Sequence, residues 1–478
     1  MPINNNNHFI IPGRNAKSRY LPDNIKIICE LEKIAIFEGS EPLQICDLDY
    51  LNYETIIAIS ILYTDAKVVV FTEDKKKFNK LVEKIDEYNI ENICLNELEA
   101  IDKGIDFGEF DLIFAGINDL KQDKVLSSSE EKFVSKYLKN MGALVIGYDA
   151  GIHTKITFLI SEFLNSILLK NEEGNREPSH GKVEKIARAI LSRQSWKINK
   201  LGYINENLRR ARNHASKSMS PRATMNFSDV KRQIESLGLK YVAQSDHKVN
   251  IQKSFIQTDL SVLIHGDGGM DELIDFLLLN RKRIDIYVRN ATTFQNYDKR
   301  ESVGIYLKKT YAESFVLDTV AGKQRIAEKC SELMLKNAKD HRYKLSDFTR
   351  DLGEGSRNAR EYFKKFLATD QFIAGYRDVT LDILEPGTNL RYTTEDKKII
   401  GDCRALKSGF QIISPKIRSQ IFSFGIEETA ILDAFLGNLS ATEIESLIKT
   451  FESNDTDNNK YMDQYNSRTS IIRRFVGI

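Results

Sequence analysis

Between Leu43 and Asp119, short apolar runs alternate with longer stretches whose apolar positions recur at helical spacing. The run "LQIC" leads into the acidic "DLD" of Asp47–Asp49, and "YETIIAISILY" follows with helical character. "AKVVVFTED" ends in acids at Glu73 and Asp74, and "KKKFNKLVEKIDEY" reads as a second helix. "ENICLNE" and "GEFDLIFAGINDL" are further strands, and "GALVIGYD", Gly142 to Asp149, is another. Continuous apolar runs of this length suit strands buried on both faces, and the helices between them supply the crossovers. The pattern predicts a parallel α/β sheet. Ligands of such sheets sit beyond the carboxyl ends of the strands, where the acids fall. Yet the loop from Cys46 to Asn52 contains no glycine. The architecture argues for a cofactor pocket, and the local chemistry argues against an ordinary one.

Outside this region the pattern predicts further units. Residues 1–39 form an entry arm and a helix over Asp23–Phe37. The α/β domain occupies 40–170, and a charged break follows at Lys170–Lys182, with Gly174, Pro178 and Gly181. Residues 183–290 read as a mainly helical domain. In it, "FSDVKRQIESLGLKYVAQ" is a helix closed by Gly238 before a short strand, and "MDELIDFLLLNRKRIDIYVR" is a helix and then a strand. Residues 291–453 form a C-terminal unit in which "AGKQRIAEKCSELMLKNAKDH" reads as helical and helix–helix–strand order suggests a winged helix. Ser440 with Glu443 makes a capping box there. The segment 454–478 is a polar tail.

Composition narrows the function classes. A chain of 478 residues holds two or three domains, and 41% hydrophobic with 29% charged residues describes a soluble globular protein. A net charge of +1 gives no global attraction to nucleic acid or membrane. No apolar run reaches the roughly 18 residues of a membrane span, and the N-terminus lacks a secretion signal. The five cysteines are scattered without a CxxC or Cys/His cluster, so no metal site is expected. Together these predict a cytoplasmic protein.

Several segments, in the same order, resemble bacterial methyltransferases that carry a methyltransferase regulatory domain, of which the rickettsial protein lysine methyltransferases are the best known. "GEFDLIFAGIN" is similar to that family's fourth strand, and "LKNMGALVIGYDAGIH" resembles the next one. "FSDVKRQIESLGLKYVAQ" and "IDFLLLNRKRIDIYVR" resemble regulatory-domain segments; "ATDQFIAGYRDVTLDIL" and "LKSGFQIISPKIRSQIFSF" look like the C-terminal ones. The resemblance implies a class I methyltransferase-like, Rossmann-type α/β sheet domain, followed by mainly helical regulatory and winged-helix-like α+β C-terminal domains. It implies S-adenosylmethionine (SAM) as cofactor and protein lysine side chains as substrate. The family's first strand ends in a glycine-rich turn that lets backbone approach the methionine portion of SAM. Here the matching stretch is Gln44-Ile45-Cys46-Asp47-Leu48-Asp49-Tyr50, and SAM binding is expected to be weak or absent.

On this reading Cys46, Asp47 and Asp49 line the cofactor's methionine end, although acids there also cap the next helix. Glu73 and Asp74 reach the ribose, or serve the first turn of their helix. Asn96 and Glu97 lie at the adenine. The catalytic candidates are Asn118 and Asp119, past the fourth strand, and Tyr148, which could wall a lysine channel. Two functions follow: a SAM-dependent methyltransferase, or a catalytically inactive methyltransferase fold serving as a regulatory or protein-binding partner. Expected partners are a protein substrate or a paralogous methyltransferase, with a homodimer as a further option. Neither nucleic acid nor a membrane span is expected.

Overall fold

The computed structural model describes residues 8–37, 42–103, 105–116, 124–150, 225–255, 269–278, 282–289, 303–307, 315–319, 322–338, 342–369, 371–376, 392–415 and 417–436. The entry arm begins with strand β1 (Phe9–Pro12) and leads into helix α1 (Pro22–Leu31). Pro22 opens α1 at the position where its missing N–H costs nothing. The helix is shorter than the predicted Asp23–Phe37. Lys33 and Phe37, at φ 64° and 58°, turn the chain out of helical geometry.

Five parallel strands follow: β2 (Gln44–Leu48), β3 (Lys67–Thr72), β4 (Ile93–Glu97), β5 (Phe110–Gly116) and β6 (Leu138–Asp149). Helices α2 (Tyr53–Leu62), α3 (Lys75–Tyr88) and α4 (Ser128–Tyr137) connect them. Asn52 caps α2 through the Thr55 amide, and a Ser127–Glu130 capping box starts α4. Beyond them come α5 (Phe227–Glu235), β7 (Leu239–Gln244), α6 (His247–Asn250), α7 (Gly269–Leu278) and β8 (Lys282–Arg289). The sheet order is β4-β3-β2-β5-β6-β8-β7, with β8 antiparallel to both its neighbours. This seven-stranded mixed sheet resembles that of class I methyltransferases. It also takes in two strands, β7 and β8, from the stretch 183–290 that the sequence set apart as a domain of its own. "RIDIYVR" and "LKYVAQ" are strand sequences whose apolar faces are covered only inside this sheet, so the sheet unit extends to Arg289.

Strand alternation divides the core. Ile45, Val68, Val70, Leu112, Val145 and Ile286 pack beneath α1 and α2, while Cys46, Val69, Phe71, Ile113, Leu144 and Tyr287 pack beneath α4 and α5. With both faces covered, the short apolar runs of the sequence are accounted for.

The C-terminal elements are β9 (Gly304–Leu307), β10 (Val316–Thr319), β11 (Gly322–Arg325), α8 (Glu328–Asn337), β12 (Tyr343–Lys344), α9 (Leu345–Leu352), α10 (Ser356–Ala368), β13 (Phe372–Gly375), α11 (Thr394–Ala405), β14 (Phe410–Ser414), β15 (Ile417–Phe424) and α12 (Ile426–Phe435). They form a β12-β9-β13 sheet, a β10-β11 hairpin and a β1-β14-β15 sheet. The stretch beginning "AGKQR" is therefore not helical throughout. Gly322–Arg325 pairs with Val316–Thr319, and the helix starts only at Glu328. The polar "GKQR" offers no apolar helix face, whereas strand pairing places Ile326 in the core with its amide on the Phe315 carbonyl. The break at Lys170–Lys182, the Ser440–Glu443 box and the polar tail lie outside the described residues.

The arm ties these parts together. Beyond the β1–β14 pairing, Gln411 brackets Ala16 through the Ala16 amide and carbonyl, and Ser18 Oγ accepts from the Ile421 amide. Asn15 donates to Glu54 and accepts, through its carbonyl, from Asn52. The arm thus spans from the C-terminal sheet to the turn after β2.

Candidate functional site

At the carboxyl ends of β2 and β3, two acids close on one ammonium. Asp47 is 1% exposed; its Oδ1 accepts from the Tyr50 and Leu51 amides at 3.1 and 2.9 Å, and its Oδ2 from Lys77 Nζ at 2.9 Å. Asp49 Oδ1 accepts from Thr72 Oγ1 at 2.6 Å and Lys77 Nζ at 3.0 Å, and its Oδ2 from the Glu73 amide at 3.1 Å. All four carboxylate oxygens are engaged within the chain. Burial works to lower the Lys77 pKa, but the two carboxylates outweigh it and the net direction is up, so Lys77 is a cation. Burial pushes the Asp47 carboxyl up, and Lys77 and the Leu51 amide pull it back. Asp49 sits at φ 54°. The left-handed backbone that a glycine would adopt in this turn is kept, at a residue that tolerates it.

The next residue closes the adjoining space. Tyr50 lays its ring across the paired ends of β5 and β6, where Gly116 stands beside Gly147. A Cβ at either glycine would collide with that ring. Tyr50 Oη is 2.8 Å from Tyr20 Oη, and the two rings meet edge to face at 5.7 Å. Burial raises the Tyr50 pKa far above the usual phenol value, so the ring is neutral. Tyr20 also packs edge-on against Phe114 of β5. The arm and the β2 turn together fill the groove over β5 and β6.

The remaining candidates scatter. Cys46 is fully buried among Val69 and Phe71 on the α4 side of the sheet, where it lines no cleft; alternation along β2 turns it inward while its neighbour Asp47 faces Lys77. Asp74 caps α3 through the Lys76 and Lys77 amides. Glu73 is exposed at the end of β3, and Asn96 and Glu97 stand beside Phe71 and Thr72 at the end of β4. Asn118 and Asp119 lie outside the described residues. Tyr148 is 3% exposed and donates to Asp285 Oδ2 at 2.6 Å. It faces a buried cluster and not an open channel. Lys77, Tyr20 and the two glycines were not singled out from the sequence. Lys77 belongs to a lysine run that reads as a solvated face, and Tyr50's contacts are set by residues far along the chain.

That second cluster centres on Arg283 of β8, which is fully buried. Its Nε contacts Asp285 Oδ1 at 2.9 Å, Nη1 contacts Asp275 at 2.6 Å, and Nη2 contacts Asp271 at 2.9 Å and Tyr241 Oη at 3.2 Å. The guanidinium lies 3.9 Å from the Phe227 ring centroid. Burial pushes the Asp285 carboxyl up to about 6 against the opposing pull of Arg283. The cluster clamps α5 and α7 to the strands.

No protein-family model matches the chain, and no curated protein matches it. Among solved structures, PKMT2 from Rickettsia typhi in complex with AdoHcy superposes with a TM-score of 0.57 at 11% identity, covering 94% of this chain and 93% of PKMT2. A second structure of PKMT2 from Rickettsia typhi gives 0.55 at 11% identity, covering 97% of this chain and 98% of that one. The full-length fold is PKMT2-like. The likeness spans nearly the whole of both chains.

A methyltransferase fold raises the question whether SAM fits these residues. As arranged, they do not. The acids that would meet the cofactor's ammonium are taken up by Lys77, and the ends of β5 and β6 lie under Tyr50. Of the candidates, Glu73, Asn96 and Glu97 at the outer strand ends are left uncovered by this closure. Among the described residues, no group of His, Cys, Asp and Glu could hold a metal, and no helix is long and apolar enough to cross a membrane.

Proposed function

We propose that this protein is a methyltransferase-fold protein whose cofactor cleft is closed by its own side chains, and that it works as a catalytically silent, protein-binding partner. The observation that carries this reading is the Asp47–Lys77–Asp49 bridge with Tyr50 laid over Gly116 and Gly147. A transferred methyl must lie in line with its acceptor, and positioning supplies most of the rate in such reactions. A groove occupied by a tyrosine ring offers neither donor nor acceptor a place. Displacing Lys77 would leave the buried Asp47 with only the Tyr50 and Leu51 amides, at a cost of about 2 kcal/mol.

A second reading rests on the shared fold with the AdoHcy complex of PKMT2 and on Glu73 at the end of β3. In it, SAM's own ammonium replaces that of Lys77, Tyr50 swings outward, and the protein methylates lysine side chains. Incubating the full chain with methyl-labelled SAM and a lysate separates the two. The proposal expects no label above a denatured control, and stoichiometric co-purification of a protein partner, a paralogous methyltransferase or another chain. Labelled protein would establish the second reading. The full chain is required, because β7 and β8 complete the sheet and a fragment beginning at residue 183 would remove them from it.

A further inference from the structure

A cavity of about 350 Å³ lies past the end of β7, between the entry arm, α6 and the strands β13 and β15. That is at the lower end of the roughly 300–1,000 Å³ of small-molecule sites. Its Arg19 side adjoins the Tyr20 that closes the cleft, and the cavity itself opens away from β2. In the sheet order β7 stands four strands from β2, about 19 Å at ordinary strand spacing.

The lining has two characters. Phe372 and Ile373 of β13, both buried, give an apolar wall. The polar wall carries Arg19, Ser245, His247 and Lys248. Among the described residues of the lining Asp246 is the one carboxylate, and its Oδ1 accepts from the Lys248 amide at 2.9 Å in the cap of α6. Positive groups therefore outnumber negative ones.

Two polar atoms of this lining are left unsatisfied. Ser245 is 2% exposed, and among the described residues its Oγ has no hydrogen-bond partner. Its backbone is fully used: the amide donates to the Ile284 carbonyl at 2.9 Å, and the carbonyl accepts from Asn24. Among the described residues Arg19 Nε is likewise buried without a partner, while the rest of the guanidinium engages Tyr20, 5.5 Å from its ring centroid. Buried donors are ordinarily paired, and one left unpaired is costly. A buried hydroxyl and a guanidinium N–H both want an acceptor, and the surrounding charge favours a negative one.

We infer that this cavity is a binding site for a small ligand with an oxyanion headgroup, a phosphate or a carboxylate, on a compact apolar body. Arg19 and Lys248 hold the charge, Ser245 donates a hydrogen bond, and Phe372 and Ile373 receive the apolar part. The site joins the arm to the C-terminal strands, so its occupant would bind only the assembled fold and raise its stability.

The test uses the full chain and two probes, inorganic phosphate and malonate. Each is titrated by calorimetry and thermal unfolding against sodium chloride at matched ionic strength. Saturable binding of either probe is expected, and the preferred one identifies the headgroup. Arg19→Gln and Lys248→Gln should each weaken it about tenfold or more, the usual effect of losing a charged hydrogen-bond partner. Lys248 is exposed, so its variant folds and decides the matter should Arg19→Gln prove unstable. Absence of saturable binding, equal stabilisation by chloride, or unchanged affinity in Lys248→Gln would overturn the proposal.

Discussion

The two carboxylate clusters at the strand ends use one cation each, and they differ in what surrounds that cation. At β2 and β3, Lys77 is held between Asp47 and Asp49 on the rim of the sheet, its side chain 10% exposed and that of Asp49 19%. At β8, Arg283 is held by Asp271, Asp275 and Asp285 with no exposure at all. The rim cluster lies at the carboxyl ends of the parallel strands, the edge where ligands of such sheets sit. The buried cluster lies four strand ends from β3 and fastens helices. Backbone and hydroxyl donors share the load at the rim, so one flexible ammonium suffices there. At β8 the planar guanidinium meets carboxylates from two elements, which a lysine could not reach together.

Removing the cation from each cluster should break the comparison most sharply. Arg283→Met removes the one cation that three buried carboxylates share, leaving them the neutral donors Tyr148, Tyr241 and Gln244, and a loss of about 4 kcal/mol or more is expected in urea unfolding. A loss below about 1 kcal/mol would mean that those acids are relieved some other way. Lys77→Met should cost less, about 2 kcal/mol, because water reaches the rim and the amides of Tyr50, Leu51 and Glu73 remain. A larger loss at Lys77 than at Arg283 would invert the account.

Acidity separates the clusters next. Asp285 has a folded pKa of about 6, above its ordinary 3.8, so the folded state binds this proton more tightly than the unfolded one. Its contribution therefore favours folding at low pH and is lost as pH rises from about 4 through about 6. Between pH 7.5 and pH 4.5 the stability of the native protein should gain about 2 kcal/mol relative to Asp285→Asn, which carries no such proton. A stability difference independent of pH would show that Asp285 stays ionised. The smallest effect expected is at the rim: Tyr50→Phe loses only the contact with Tyr20 Oη, about 1 kcal/mol. An unchanged unfolding midpoint would leave that contact without energetic weight.

The sheet was legible because β3, β5 and β6 each carry a continuous apolar run bounded by helical stretches, a pattern suited to burial on both faces. Strand β8 was legible as a strand but not as a member of this sheet. Its partners β6 and β7 are chosen by tertiary packing, and no local pattern in "RIDIYVR" states them. The acids Asp47 and Asp49 were readable as a strand-end pair, and so was the absence of glycine around them. What filled the space was not readable. Lys77 differs from its neighbours Lys75 and Lys76 only in its angle around α3, and Gly116 and Gly147 become a pair only through the β5–β6 register. Tyr148 was assigned to an open channel because nothing in the sequence places Asp285 beside it.

The closed cleft is tested most directly by calorimetric titration of SAM and AdoHcy into the purified full chain, alongside Tyr50→Gly combined with Lys77→Ala. The account predicts no binding to the native protein up to about 1 mM, near the weak end of measurable affinity, and measurable binding once the ring and the ammonium are gone. Micromolar binding to the native protein would contradict it, because Asp47, Asp49 and the ends of β5 and β6 would then be open to the cofactor in solution.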